Sequence, residues 1–161
     1  MILLGIDPGT AATGYGIVNI EDPSNLLAID YGNIKTSKDQ LMPERLLKIY
    51  NSTRYIVDKF KPDAFVIERL FFNTNAKTAI SVGQARGVFI LIAGEYKLPV
   101  FEYTALEAKM ELTGYGRAQK DEVRQKVADM LSIKVAIKPI DASDALAMAL
   151  CHSIKMTKNG K

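Results

Sequence analysis

The chain has 161 residues, is 48% hydrophobic and 24% charged, and carries a formal charge of +3. That is one globular domain with interior enough for a core. It excludes a disulfide-stapled scaffold, since Cys151 is the single cysteine, and no apolar stretch is long enough to cross a membrane. The lone cysteine fits a reducing cytosol, and no basic segment of the signal-peptide kind precedes the first apolar run. Charge is unevenly spread. Residues 1–68 carry 7 Lys/Arg against 9 Asp/Glu, residues 69–97 carry 4 against 1, and residues 98–161 carry 10 against 8. A polyanion could bind the basic surplus that follows Glu68.

The apolar run Met1–Ile6 leads directly into Asp7. Pro8-Gly9 breaks the run, and Tyr15–Ile20 reads as an antiparallel return strand. A carboxylate on a fully apolar strand is costly to bury unless it is paired or binds a cation; the bland alternative is an Asp that bonds its own turn. Leu26–Asn33 reads as a third strand after the turn at Asp22–Asn25. Pro43 and Glu44 suit the first turn of a helix whose apolar face holds Leu46, Tyr50, Val57 and Phe60, and Lys61-Pro62-Asp63 ends it. Ala64–Ile67 is a short, wholly apolar run, as in a central strand covered on both faces, and it ends in Glu68. In open α/β sheets, ligands gather at the C-terminal ends of the strands.

Arg69-Leu70-Phe71-Phe72 follows. Phe71 is the better stacking platform for a base, and Phe72 is expected in the core. Ala76–Tyr96 reads as a long helix with Ala79, Gly83, Gly87 and Leu91 on one face, a smooth stripe suited to the sheet or to a second subunit. Leu98–Tyr103 is a strand parallel to the previous one, and Thr104–Leu112 is a short helix bearing Lys109. A flexible turn at Thr113–Arg117 leads to the helix Gln119–Leu131. Lys109, Arg117, Lys120 and Arg124 are candidate phosphate contacts. The last helix, Asp141–Lys155, opens with Asp141 and Asp144, neighbours at i and i+3. Asp141 also suits an N-cap and Asp144 a first turn, which would explain both without chemistry. His152 and Cys151 read as structural, and residues 157–161 as a flexible tail.

If the last helix lays its start over the strand ends, Asp7, Glu68, Asp141 and Asp144 converge. Several carboxylates cannot all stay ionised together without a cation. Oxygen ligands with no histidine or thiolate cluster select Mg²⁺, with Mn²⁺ as a substitute. Two such ions would clamp an in-line phosphoryl transfer. The fold class that follows is α/β: three antiparallel strands, then two parallel ones, flanked by helices.

The segments GIDPG (Gly5–Gly9), TGYG (Thr13–Gly16), VIER (Val66–Arg69), GQARG (Gly83–Gly87), PVFEY (Pro99–Tyr103) and DASDALAMALCH (Asp141–His152) closely resemble the RuvC family of Holliday-junction resolvases. The likeness runs through nearly the whole chain in order. It implies a ribonuclease H-like fold and a homodimer. It also implies symmetric nicking of two opposing strands of a four-way DNA junction, leaving ligatable ends, and cooperation with the RuvA–RuvB branch-migration complex. It assigns catalysis and metal binding to Asp7, Glu68, Asp141 and Asp144, junction stacking to Phe71, and contact near the scissile phosphate to Lys109 and Lys120. Arg69 departs from the neutral residue common in relatives and is a further DNA-contact candidate.

Three other readings compete. A ribonuclease H-like nuclease that trims structured RNA shares the opening aspartate-glycine hairpin, but GQARG and the DxxDALA helix argue against it. A kinase-like nucleotide-binding fold would need a second phosphate hairpin and a second large domain. A junction-binding scaffold without activity is hard to square with four retained acids.

Overall fold

A computed structural model describes residues 1–22, 25–69 and 76–160. Phe71 and Phe72 lie outside the described residues, so the expected stacking platform does too. Five strands form one mixed sheet in the order β3-β2-β1-β4-β5, with β1 Ile2–Asp7, β2 Ala12–Asp22, β3 Asn25–Lys35, β4 Ala64–Glu68 and β5 Val100–Tyr103. The β1/β2 and β2/β3 pairs are antiparallel, while β1/β4 and β4/β5 are parallel, as expected from the sequence.

The two apolar runs lie side by side in the middle of the sheet because both of their faces are covered. Leu4, Ile6, Phe65 and Ile67 point into one core, against α1 (Met42–Phe60) and α2 (Ala76–Glu95). Leu3 and Val66 point into the other, against α3 (Ala105–Thr113), α4 (Lys120–Met130) and α5 (Ile140–Asn159). A continuous apolar string is what a strand needs when alternate side chains meet two different helical layers.

Several boundaries move. The return strand is longer than its apolar core, because pairing with β3 continues to Asp22. The buried line of α1 runs through Ile49, Thr53, Ile56 and Val57, with Leu46, Tyr50 and Phe60 on its flanks. Lys61, at φ 47°, ends that helix in a left-handed turn. α5 continues through Asn159, well into the segment expected to be a flexible tail. Thr157 Oγ1 donates to the Ser153 carbonyl, and Lys158 Nζ lies 2.5 Å from Glu111 Oε2 on α3. Cys151 and His152 are buried in α5, as a structural reading requires. The His152 ring stacks on Phe101 at 4.0 Å, and Nδ1 is 2.8 Å from the Tyr103 hydroxyl.

α5 lies directly on β1 and β2, and glycine makes this approach possible. A Cβ on Gly5 would sit 2.0 Å from the Ala145 carbonyl oxygen, and one on Gly14 would sit 2.0 Å from that of Asp141. Only a residue without a side chain leaves room for a helix backbone at that distance. The start of α5 is thereby pressed onto the end of the sheet where β1 and β4 finish.

Candidate active site

The parallel pairing of β1 and β4 sets Ile6 beside Ile67, so Asp7 and Glu68 leave the sheet together. Asp7 plays no part in closing its own turn. Thr13 does that work: its Oγ1 donates to the Gly9 carbonyl at 2.6 Å and accepts from the Gly9 amide at 3.4 Å. The Asp7 carboxyl instead hydrogen-bonds Glu68. A bond between two carboxyls needs a proton, which the pair holds between them. Burial first, and then the Glu68, Asp144 and Asp141 charges, push Asp7 up to about 8. Burial raises Glu68 and Asp144 as well, with Lys120 acting against the rise in both.

Asp144 reaches this cluster from α5, and Lys120 Nζ on α4 is 3.9 Å from its Oδ2. Asp7, Glu68, Asp144, Lys109 and Lys120 line one cavity of about 240 Å³, floored by Ala108, Val123, Ala147 and Met148. Asp141 does not line it but is close enough to raise Asp7 and Asp144. It is not the helix N-cap; Pro139 holds that position, without a side-chain cap bond. The Asp141 carboxylate accepts instead from Asn33 Nδ2 on β3 at 3.2 Å. So for Asp7 and Asp141 the local explanation fails, and their carboxyls meet groups from distant segments.

The four acids thus gather from β1, β4 and α5. Among the described residues, no three His, Cys, Asp or Glu side chains close into a finished ligand cage. Several carboxylates this near one another resist ionising together unless a cation neutralises them. The donor set is all oxygen and half-buried, and it bears excess negative charge, which fits a hard divalent cation. His152, eight residues beyond Asp144 on α5, does not line the cavity.

The other basic candidates divide. Lys109 and Lys120 line the cavity. Arg69 does not: its guanidinium reaches the Glu102 carbonyl on β5 at 3.3 Å. Arg117 is exposed on the α3–α4 loop. Arg124 pairs with Asp121 at 2.9 Å, yet lies near enough to lower Asp144. Two residues that sequence reasoning passed over matter here. Asn33 holds Asp141, and Arg86 of the GQARG segment pairs with Glu102, tying α2 to β5. No short-range pattern could reveal either contact.

Comparison with known proteins agrees with this fold. A sequence profile described as "Crossover junction endodeoxyribonuclease RuvC" matches residues 3–152. The RuvC of Alkaliphilus oremlandii is 48% identical over 153 residues, covering 95% of this chain and 93% of that protein. The RuvC of Ruminiclostridium cellulolyticum is 47% identical, covering 94% and 91%. The structure of Thermus thermophilus RuvC in complex with Holliday junction substrate superposes with a TM-score of 0.94 at 32% identity, covering 99% and 96%. With the strand order, the gathered acids and the sequence likeness in agreement, the chain belongs to the RuvC family of crossover junction endodeoxyribonucleases.

Proposed function

We propose that this protein resolves four-way DNA junctions by metal-dependent hydrolysis of one phosphodiester in each of two opposing strands, leaving ligatable ends. The observation that carries this reading is the meeting of Asp7, Glu68 and Asp144 with Lys109 and Lys120 in one cavity, inside a chain of the RuvC family. Family membership makes DNA the substrate class, in place of the structured RNA weighed as the alternative.

Asp7, Glu68, Asp141 and Asp144 would hold Mg²⁺ or Mn²⁺, with two ions per site as the working stoichiometry. Bound there, such ions supply a nucleophilic hydroxide near neutral pH and stabilise charge on the attacking and leaving oxygens. The chain's own groups do the rest. Lys109 and Lys120 sit where a phosphate would enter, and their positive charge offsets that of the substrate. The apolar floor of Ala108, Val123, Ala147 and Met148 keeps bulk water from beneath the acids, which strengthens every charge interaction above it. Asp7 would serve as a ligand in its deprotonated form. By resemblance to the family Phe71 would stack on a junction base, and the exposed Arg117 would add a phosphate contact; Arg69 and Arg124 would have to release Glu102 and Asp121 to do the same.

A homodimer with two such sites would supply the symmetry of paired cuts. The α2 stripe favours this state. Ile80 and Leu91 are exposed, and a Cβ on Gly83 or Gly87 would meet nothing within 4 Å. Cooperation with a RuvA–RuvB complex and location in the cytoplasm, beside the chromosome, complete the reading.

The test is a synthetic four-way junction incubated with the protein and Mg²⁺, or with chelator, and the cuts mapped. Paired nicks at symmetry-related positions are expected only with metal. Asp7→Asn should bind the junction yet cut it at least ~10²-fold more slowly, as loss of a positioned electrostatic group does. Undiminished cutting by that variant, or faster cutting of structured RNA than of the junction, would refute the proposal.

A further inference from the structure

Asn33 lies on an edge strand outside every motif named above, yet it makes the one side-chain hydrogen bond to the Asp141 carboxylate among the described residues, across 108 positions of sequence. The register explains how. Asn33 on β3 stands directly opposite Gly14 on β2, so the two residues share a face of the sheet. Gly14 has no side chain, and the Asp141 backbone rests over it. The first side chain Asp141 meets beside that gap is therefore Asn33. An amide is suited to this place. It donates to Oδ2 and carries no charge, so it fixes the carboxylate without competing with a cation as a lysine would. Among the described residues no hydrogen bond engages the other oxygen, Oδ1. Asp144, one turn on, has Lys120 for a neighbour instead. The two acids at the start of α5 are thus held by different elements and different chemistry.

We infer that Asn33 is a positioning residue: through its hydrogen bond to Asp141 it sets the orientation in which that carboxylate receives a divalent cation. This rests on the reading of the four acids as a metal site. Groups that orient a ligand from behind in this way typically alter metal affinity roughly 10- to 100-fold when removed.

The test uses the full chain. Mn²⁺ binding to the DNA-free protein is measured by calorimetry, and junction nicking is followed against Mn²⁺ concentration. Asn33→Leu and Asn33→Ala should weaken Mn²⁺ binding and raise the half-activating concentration by roughly 10- to 100-fold. Saturating metal should restore the rate, and Asn33→Gln, which keeps the amide, should recover most of the affinity. Melting temperature and junction binding in Ca²⁺ should match the parent chain. Three results would overturn the inference. One is unchanged Mn²⁺ affinity in Asn33→Leu and Asn33→Ala. Another is a fall in rate that saturating metal does not repair. The third is loss of folding or junction binding that accounts for the lost activity. If the parent chain itself binds no Mn²⁺, the metal reading fails and this inference with it; if only the variants are indistinguishable from the parent, the inference alone fails.

Discussion

At Asp7, function and stability oppose each other. A carboxyl whose folded pKa stands at about 8, above its ordinary 3.8, binds its proton more tightly in the native state than in the unfolded chain. The unfolded state then carries fewer protons, so stability falls as pH rises between those two values. Melting of the metal-free protein should therefore decline from mildly acidic to alkaline pH. Asp7→Asn, which keeps the shape and removes the charge, should melt a few degrees higher than the parent at pH 8 and show a flatter pH profile. Added Mg²⁺ should close the gap by stabilising the parent alone. Parallel melting curves for the two proteins across this range would contradict the assignment of the raised pKa to Asp7. The apolar strand ending in one acid is legible from sequence as an anomaly. What the acid does about its burial is not, because its partner, Glu68, is 61 positions away.

Among the elements, α5 and α2 use glycine in opposite ways. Gly5 and Gly14 have a helix backbone pressed against them, whereas Gly83 and Gly87 face open space. Gly5→Ala should cost about 1–3 kcal/mol of stability, the usual penalty of overpacking. Its effect on cutting should be larger, because α5 must shift to admit the methyl and carries Asp141 and Asp144 with it; a 1 Å misplacement can cost about 10²-fold in rate. Thermal melting beside nicking rates measures both. On α2, Gly87→Arg meets no obstacle within the protomer, so the fold should survive. If α2 forms the proposed dimer interface, sedimentation should nevertheless show a monomer for this variant and a dimer for the parent. A dimeric Gly87→Arg variant would remove α2 from the interface. Sequence spacing placed both glycine sets correctly in a strand, a turn or a helix. It gave no sign that Gly5 and Gly14 serve to admit a helix.

For the molecule as a whole, the acids sit at the sheet end reached by β1 and β4, with basic groups from α3 and α4 along one side. Lys109 and Lys120 approach that cavity while Arg69 and Arg124 are engaged elsewhere. Charge-removing variants should separate accordingly. Lys120→Ala should weaken junction binding and reduce the slope of log affinity against log salt by about 1, the signature of one lost phosphate contact. Filter binding over a salt series measures it, and an unchanged slope would place Lys120 off the DNA.

The order of strands and helices, the two central runs and the four acids were all readable from the chain, because periodicity, apolar continuity and a misplaced charge are local properties. The bounds of α5, the cap of its first turn and the partners of Asp7, Asp141 and Arg86 were not. They depend on which segments pack together, and that is decided by the summed burial of two cores on either side of one sheet. The sequence by itself determined what the site is made of. Only the tertiary structure decided how it is held, since a glycine-lined face lets one helix come close enough to bring its acids, and an asparagine from the far edge, to the same place.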